Sequence, residues 1–345
     1  MSNGNTLLEV QDVSRVFHVA SGMFAHRNIT AVDKVSFSLP SDKPTLLTIV
    51  GESGSGKTTL ARTLLGLTPP TSGTIRYRGQ DIYQMTPGQW QHYRTEVQPI
   101  FQDPYSTYNP FYRIDRVLEV PIRRFKLANN RDEARALMED ALRAVDLRPH
   151  DVLGRYPHQL SGGERQRVML ARVYLIKPRL IIADEPISMI DAALRALFLN
   201  ILLDFRDKHG ISCIFITHNL ATAYYLGGDI MVMCRGRDIE KGEMDTVIRT
   251  PKHPYTQLLL ESVPNNDPRK RWEHTHKEQA IDTSELKFSP SACVFVARCP
   301  HVMEICHQHR PALMNTESGQ EAACFLYGQQ VMPVEPTAEH QVRNK

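Results

Sequence analysis

Two kinds of hydrophobic pattern alternate along the chain. Residues 7–19 and 31–39 alternate apolar with polar side chains and are rich in β-branched residues, which predicts two half-exposed strands with a loop between them. Three short runs are largely apolar, as buried parallel strands are: LLTIV at 46–50, LIIAD at 180–184 and ISCIFIT at 211–217. A helical stretch at 191–209 separates the last two. Strands that alternate with helices predict an α/β fold with a parallel sheet.

The rest of the chain has a different character. Residues 114–176 have apolar positions three and four apart, which predicts a helical insertion in the α/β core. A hairpin is predicted at 229–242 and a short helix at about 254–262. After Pro264 the chain becomes polar and charged, as a linker does. We therefore predict a main domain at 1–262, with its helical part at about 103–176, and an extension at 263–345 that holds a compact segment at about 285–328 and a frayed tail.

Composition excludes several classes of protein. The chain has 41 basic and 38 acidic residues, so there is no strong basic field for general binding to nucleic acid. No window approaches 18 consecutive apolar residues, and the first residues lack the pattern of a secretory signal. We therefore expect a cytosolic chain, in which six cysteines do not indicate a disulfide framework.

A glycine-rich segment follows the first buried run. Residues 51–58 read GESGSGKT and match GxxxxGK[ST]. In such a loop, backbone N–H groups surround the β- and γ-phosphates of a nucleotide, Lys57 neutralises phosphate charge, and the hydroxyl of Thr58 can ligate Mg²⁺. The segment lies between a predicted strand and a predicted helix, as this mechanism requires, and so predicts a nucleotide site rather than an ordinary glycine turn.

Two carboxylates end the second buried run. Asp184 is placed to hold Mg²⁺ through water, and Glu185 to polarise the attacking water as a general base. On its own, an apolar run that ends in Asp-Glu also fits a strand entering an acidic turn. The glycine-rich loop earlier in the chain favours the hydrolytic interpretation.

Between these two segments, LSGGERQR begins a predicted helix at Ser161. Serine is a good N-cap, but two glycines after it cost helix stability, so capping alone does not explain them. The segment resembles the LSGGE signature of the ATP-binding-cassette (ABC) family. The resemblance implies that Ser161, Gly162 and Gly163 close on the ATP held by a second cassette.

Other motifs of that family occur in the expected order. Gln102, in IFQDP, matches the glutamine that joins the active site to the transmembrane partner and contacts the metal or water. Asp191, in SMID, matches an interface position, and Phe17 matches the aromatic residue that stacks on adenine. A lone histidine after a strand is more often structural, but the position of His218 in this series matches the histidine that contacts the γ-phosphate.

The resemblance therefore implies a P-loop NTPase, specifically an ABC nucleotide-binding domain with an antiparallel β subdomain and a helical subdomain. It implies ATP and Mg²⁺, with Glu185, His218 and Gln102 as catalytic residues. The residues implied for nucleotide binding are Phe17, Gly51, Ser53, Gly54, Ser55, Gly56, Lys57, Thr58, Thr59, Ser161, Gly162, Gly163 and Asp191. Those implied for Mg²⁺ are Thr58, Gln102 and Asp184.

Two later segments resemble one subgroup, the importers of oligopeptides, dipeptides, nickel and oligosaccharides. Residues 250–264 are close to the HPYT segment that ends their cassette, and residues 293–324 are close to their C-terminal cysteine segment. The resemblance implies two transmembrane permease chains, a second and different ABC ATPase chain, an extracytoplasmic solute-binding protein and no nucleic acid. It also implies a peripheral location on the cytoplasmic face of the cell membrane.

Four cysteines lie in the extension: Cys293, Cys299, Cys306 and Cys324. Their spacing is looser than that of a zinc ribbon and suits an iron–sulfur cluster at least as well as zinc. Four reduced thiols packed in a small apolar module are the third alternative. The subgroup resemblance favours a [4Fe–4S] cluster.

The sequence does not specify the transported solute. Residues 103–112, DPYSTYNPFY, replace the Leu-Asn-Pro stretch common in peptide importers and slightly favour members that serve oligosaccharides. We predict an ATP-hydrolysing subunit that powers import of an oligopeptide, a dipeptide or an oligosaccharide. A soluble ABC ATPase without a transport role and a redox-gated transport regulator are the alternatives.

Overall fold

Strands alternate with helices over most of the chain, as predicted. The computed structural model describes residues 6–20, 26–102, 108–188, 190, 192–262 and 291–328. The chain divides into two compact units, Met1–Asp238 and Ile239–Lys345. The predicted linker and the frayed tail at 333–345 lie outside the described residues.

The strands are β1 (Thr6–Ala20), β2 (His26–Pro40), β3 (Leu46–Val50), β4 (Ser72–Tyr77), β5 (Gln80–Asp81), β6 (Val97–Ile100), β7 (Leu180–Asp184), β8 (Ser212–Thr217), β9 (Asp229–Cys234), β10 (Arg237–Glu243), β11 (Met314–Asn315) and β12 (Glu321–Ala322). The helices are α1 (Lys57–Leu64), α2 (Pro87–Glu96), α3 (Asp115–Phe125), α4 (Arg131–Arg143), α5 (Pro149–Val152), α6 (Gly162–Ile176), α7 (Ala192–His209), α8 (Leu220–Leu226), α9 (Met244–Arg249), α10 (Pro254–Glu261) and α11 (Glu304–Gln308).

A parallel sheet forms the centre of the first unit. Its described strands follow the order β9-β3-β8-β7-β6, and each neighbouring pair is parallel. Side chains alternate across the sheet, so Ile181 and Phe215 pack in one hydrophobic cluster with α6 and α7, while Ile182 and Ile214 pack in another with α1. Both faces are covered, which explains why the buried runs do not alternate apolar with polar side chains.

Strand β6 was not predicted from the sequence. Its residues read VQPI, and Pro99 lacks the backbone N–H that a central strand needs. The strand lies at the edge of the parallel sheet and pairs with β7 only, so that donor is not required. This edge position places the end of β6 beside the end of β7.

A second, antiparallel sheet in the first unit has the order β2-β1-β4-β5. Strands β1 and β2 are longer than predicted: residues 26–30, expected to be loop, continue β2 and pair with β1 from Val16 to Ala20. That part of the loop prediction was wrong, because polar residues on an exposed strand pair interrupt the alternation on which it depended. The predicted antiparallel β subdomain is present.

The helical insertion is confirmed as helices α3 to α6. Their apolar faces share one core, which includes Leu118 of α3, Leu142 of α4 and Val168 of α6. The side chain of Tyr108 packs at the start of this region, and its hydroxyl donates to the carbonyl of Arg165. None of the described helices in either unit is long and apolar enough to span a bilayer.

The second unit is organised around a buried carboxylate. Glu240 is fully buried and accepts hydrogen bonds from the backbone N–H groups of Lys252 and His253, at 2.7 and 2.9 Å, and from the amide of Gln320, at 2.7 Å. His253 is also buried, and its ring Nδ1 accepts from the N–H of Tyr255. The HPYT segment therefore joins the start of α10 by hydrogen bonds to the carboxylate of Glu240 on β10. Burial lowers the pKa of His253 to about 3, so its ring is neutral at physiological pH.

Candidate functional site

The register of the parallel sheet brings the predicted hydrolytic residues to one edge. Val50 pairs with Thr217, Asp184 with Ile216 and Ala183 with Ile100, so strands β3, β8, β7 and β6 end at the same level. The residues that follow these strand ends carry the predicted chemistry: the glycine-rich loop from Gly51, then His218, Glu185 and Gln102. This edge is the candidate nucleotide site.

The glycine-rich loop can form only with glycine at two tight positions. A Cβ at Gly51 would lie 2.2 Å from the carbonyl oxygen of Met233, and one at Gly56 would lie 2.1 Å from that of Ala31. Gly56 also has φ +100° at the N-cap of α1, in the left-handed region that other residues avoid. Ser53 and Gly54 are exposed on the loop and Thr59 is half-buried, so the loop presents its backbone to solvent at the start of a helix.

The amine of Lys57 is buried inside this loop. Its Nζ donates to the carbonyl oxygens of Gly51 and Glu52, at 2.7 and 2.8 Å, and to the hydroxyl of Ser55, at 3.3 Å. Burial lowers the pKa of Lys57, and the carboxylates of Glu185, Asp184 and Glu52 oppose that shift. The loop thus holds a cation in place before any phosphate is bound.

Thr58 and Asp184, both predicted to hold Mg²⁺, are in contact with each other. The Thr58 hydroxyl donates to Oδ1 of Asp184 at 3.2 Å, and Asp184 is only 9% exposed. Burial raises the pKa of Asp184, the hydrogen bond from Thr58 lowers it, and the nearby Glu185 raises it again. A hydroxyl beside a poorly solvated carboxylate fits Mg²⁺, which prefers hard oxygen ligands and would favour the ionised acid.

Glu185 and His218 face each other across the ends of β7 and β8. Oε1 of Glu185 lies 3.3 Å from Nδ1 of His218. The backbone of Glu185 has φ +46°, a conformation that costs a non-glycine residue about 1–3 kcal/mol and is concentrated at active sites. The backbone that carries this carboxylate is therefore strained. The role of the carboxylate as a general base stays a prediction.

Two predicted residues lie apart from these contacts. Gln102 follows β6 at the same sheet edge and is exposed. Phe17 lies on β1, half-buried, and the Arg15 guanidinium stacks over its ring at 4.7 Å. Arg15 thus covers one face of the residue predicted to stack on adenine, and the sequence analysis did not anticipate this pair.

The signature segment begins α6, as predicted. Ser161 is its N-cap in a capping box: the Ser161 hydroxyl accepts from the N–H of Glu164, while the Glu164 carboxylate accepts from the N–H and hydroxyl of Ser161. These hydrogen bonds lower the pKa of Glu164. Gly162 is half-buried, and a Cβ at Gly163 would lie 2.4 Å from Cδ1 of Leu194 on α7, so this leucine side chain packs against Gly163. Asp191 lies outside the described residues.

The four cysteines of the extension are all in the second unit. The N–H of Cys293 donates to the carbonyl of Cys306 at 2.9 Å. The pKa of Cys293 is raised to about 11 and that of Cys324 to about 12, mainly by burial and to a smaller extent by the other cysteines. No group of three or more His, Cys, Asp or Glu side chains among the described residues is placed to hold a metal ion. This arrangement gives the predicted iron–sulfur or zinc site no support.

Sequence reasoning missed one residue near the hydrolytic carboxylate. Gln166 is 6% exposed on α6, and its Nε2 donates to the carbonyl of Pro186 at 2.9 Å. It lies inside the signature segment LSGGERQR. A polar residue on the inner face of an otherwise apolar helix was the available signal, but its partner is 20 residues away.

The fold and this sheet edge define a class of protein, the P-loop ATPase of the ABC type. Residues 32–188 match the family model described as ABC transporter, and residues 239–306 match the one described as oligopeptide/dipeptide transporter, C-terminal region. The second match begins where the second unit begins. A cassette from Clostridium perfringens, cbiO1 of the ABC transporter complex cbiONQ, has a TM-score of 0.61 at 23% identity over 71% of this chain and 92% of that one.

Curated relatives match nearly the whole chain. The dipeptide transport ATP-binding protein DppF of Escherichia coli is 37% identical over 95% of this chain and 96% of the relative. The oligopeptide transport ATP-binding protein AppF of Bacillus subtilis is 36% identical over 94% of this chain and 99% of the relative. The chain therefore belongs to the family of ABC transporter ATP-binding proteins that carry the oligopeptide/dipeptide transporter C-terminal region, which confirms the predicted fold and family.

Proposed function

We propose that this chain is the ATP-hydrolysing subunit of a peptide importer. The observation that carries the proposal is the sheet edge on which Lys57, Thr58, Asp184, Glu185 and His218 lie together. The near full-length likeness to ATP-binding proteins of dipeptide and oligopeptide transport supports the direction and the substrate class. These relatives are peptide transport proteins by name, so the oligosaccharide interpretation gains no support from them.

The chemistry requires positioning and charge neutralisation more than covalent catalysis. The N–H groups of the glycine-rich loop and the amine of Lys57 bind the phosphates, for which the amine exchanges its contacts with Gly51 and Glu52 for phosphate oxygens. Thr58 and Asp184, with Gln102, would hold Mg²⁺, which would neutralise part of the phosphate charge. The carboxylate of Glu185 accepts a hydrogen bond from the attacking water. The ring of His218 lies 3.3 Å from that carboxylate and orients the carboxylate.

A second cassette completes the site in this proposal. Ser161, Gly162 and Gly163 lie at the N-terminus of α6, where the helix presents unpaired N–H groups and a partial positive charge. We propose that this end, with Asp191, binds the nucleotide held by the other cassette. That cassette belongs to a second ABC ATPase chain of different sequence.

This chain has a surface suited to docking of the permease chains, which we call the arginine groove. It is a cavity of about 640 Å³ beside α3, lined by the apolar side chains of Val117, Val120, Pro121 and Phe125 and by the arginines at positions 94, 113, 116, 124 and 172. No carboxylate is among the described residues that line it. We propose that the permease chains dock here from the membrane, which places this chain at the cytoplasmic face, and that an extracytoplasmic solute-binding protein delivers the peptide.

Co-purification tests the proposal directly. We would tag the chain, extract it from native membranes in detergent, and identify its partners by mass spectrometry while measuring ATP hydrolysis. We expect two multi-span chains, a second cassette ATPase and ATPase activity. Soluble partners alone, with activity retained, would reject the transport role and leave a soluble ATPase. Loss of both would reject the whole proposal.

Charge reversal in the arginine groove should separate docking from catalysis. Arg116 is exposed on α3, with its guanidinium 4.0 Å from the ring centroid of Tyr112. We expect Arg116→Glu to reduce recovery of the multi-span chains about 10-fold, because a groove lined by arginines favours an acidic partner surface, which a glutamate would repel, and to leave ATP binding unchanged. Arg131→Glu, at the exposed start of α4, is the matched control. Equal recovery for the two variants would place docking elsewhere.

We further propose, on the resemblance to the importer subgroup and not on the placement of the thiols, that the four cysteines of the extension bind an iron–sulfur cluster. Chain purified without oxygen should contain about four iron and four acid-labile sulfide per molecule, and Cys299→Ser should remove them while hydrolysis continues. Cys213→Ser, a buried cysteine of the first unit, should keep them. Zinc without sulfide would indicate a zinc site, and neither metal would indicate a thiol-only module.

A further inference from the structure

Gln166 links the signature helix to the loop of the hydrolytic carboxylate. It is one of the few polar side chains that are almost fully buried in the first unit, at 6% exposure. Its amide donates to the carbonyl of Pro186, the residue directly after Glu185, at 2.9 Å. A buried amide that reaches across to another segment is not needed for the helix itself, since the backbone of α6 satisfies its own hydrogen bonds.

The loop after β7 is otherwise held by its near neighbours. The N–H of Glu185 donates to the carbonyl of Ile216 on β8 at 3.0 Å, and the carbonyl of Glu185 accepts from the N–H and hydroxyl of Ser188, at 3.2 and 3.0 Å. The bond from Gln166 is added from α6. Because Glu185 has φ +46°, its backbone stays in place only while such contacts hold it.

The same helix begins at the proposed surface for the other cassette's nucleotide. Gln166 lies five residues after Ser161, which is about 7.5 Å along a helix at 1.5 Å per residue. The first turn of α6 also contacts α7, since Gly163 lies against the side chain of Leu194. A shift of this helix end would move Gln166 relative to the carbonyl of Pro186.

We infer that Gln166 is a positioning residue for Glu185, through which the signature surface controls hydrolysis at the nucleotide site of its own chain. Engagement of the other cassette's nucleotide at Ser161 and Gly163 sets the position of α6, and the amide of Gln166 transmits that position to the carbonyl of Pro186. The inference rests on the proposed function, since it concerns how ATP hydrolysis is timed.

The test compares Gln166→Met with Gln98→Met in the assembled transporter. Methionine keeps the length of the side chain and removes the donor. Gln98 is a matched control because it is 5% exposed and its Nε2 also donates to a backbone carbonyl, that of Arg94, away from the Glu185 loop. We expect Gln166→Met to lower kcat for ATP roughly 10- to 100-fold, with KM within about 2-fold of the unmodified chain.

The control variant should keep kcat, and both variants should bind nucleotide. A fall in kcat alone is the result that a merely structural role would not give, because misfolding removes binding and turnover together. If Gln166→Met does not fold, Gln166→Leu also removes the donor, puts no polar or charged group in the buried site and carries the same expectation. Equal kcat for the position-166 and position-98 variants would overturn the inference, whereas an unmodified transporter without ATPase activity would instead overturn the proposed function.

Discussion

Replacing Glu185 with glutamine is expected to lower steady-state ATP hydrolysis about 100-fold or more while ATP binding persists, because an amide cannot accept the proton of the attacking water. The substitution keeps the length of the side chain beside His218, 3.3 Å away, and keeps the strained backbone in place. We would measure phosphate release at saturating ATP and, separately, the affinity for ATP. The variant should accumulate with ATP bound.

Glu139→Gln is the matched control for this carboxylate-to-amide change. Glu139 lies on α4 and pairs with Arg135 and Arg143 on the helix surface, at 3.0 and 2.9 Å. Exposed pairs of this kind contribute little, so turnover should not change. Unchanged turnover in Glu185→Gln would remove Glu185 from the role of general base and direct attention to His218.

Much of the sheet edge could be predicted because its residues follow apolar runs. Buried parallel strands are predicted by the runs LLTIV, LIIAD and ISCIFIT, and the carboxyl ends of parallel strands meet at one edge of the sheet. The glycine-rich loop, Glu185 and His218 each follow one of these runs directly, and Asp184 is the last residue of LIIAD. Local pattern and register are then sufficient to bring them together.

Other features depend on contacts between distant segments, which local patterns do not encode. Strand β6 was not predicted because it contains Pro99. The proline is tolerated because, among the described strands, β6 pairs only with β7. The role of Gln166 depends on its hydrogen bond to the carbonyl of Pro186, and that of Glu240 depends on hydrogen bonds from residues 12 to 80 positions away. The HPYT segment was recognised as a motif, but its sequence does not indicate that it binds the buried carboxylate of Glu240.

Replacing Lys57 with methionine should abolish nucleotide binding without unfolding the protein. The amine supplies charge-assisted hydrogen bonds of about 1.5–3 kcal/mol each, so we expect ATP affinity to fall about 100-fold or more. Burial lowers the pKa of this amine, which means that burying its charged form costs stability. Removing it should therefore shift the Tm of the nucleotide-free chain by no more than about 4 °C.

Thermal unfolding with and without ATP and Mg²⁺ separates the two effects, because a ligand that binds only the folded state raises Tm. The unmodified chain should gain stability with nucleotide, and Lys57→Met should gain none. Lys208→Met is the matched control: its amine pairs with Asp204 on the surface of α7 and lies 67% exposed, so its nucleotide-dependent gain should be retained. A gain for Lys57→Met equal to that of the control would show that the backbone of the glycine-rich loop binds the phosphates without the lysine.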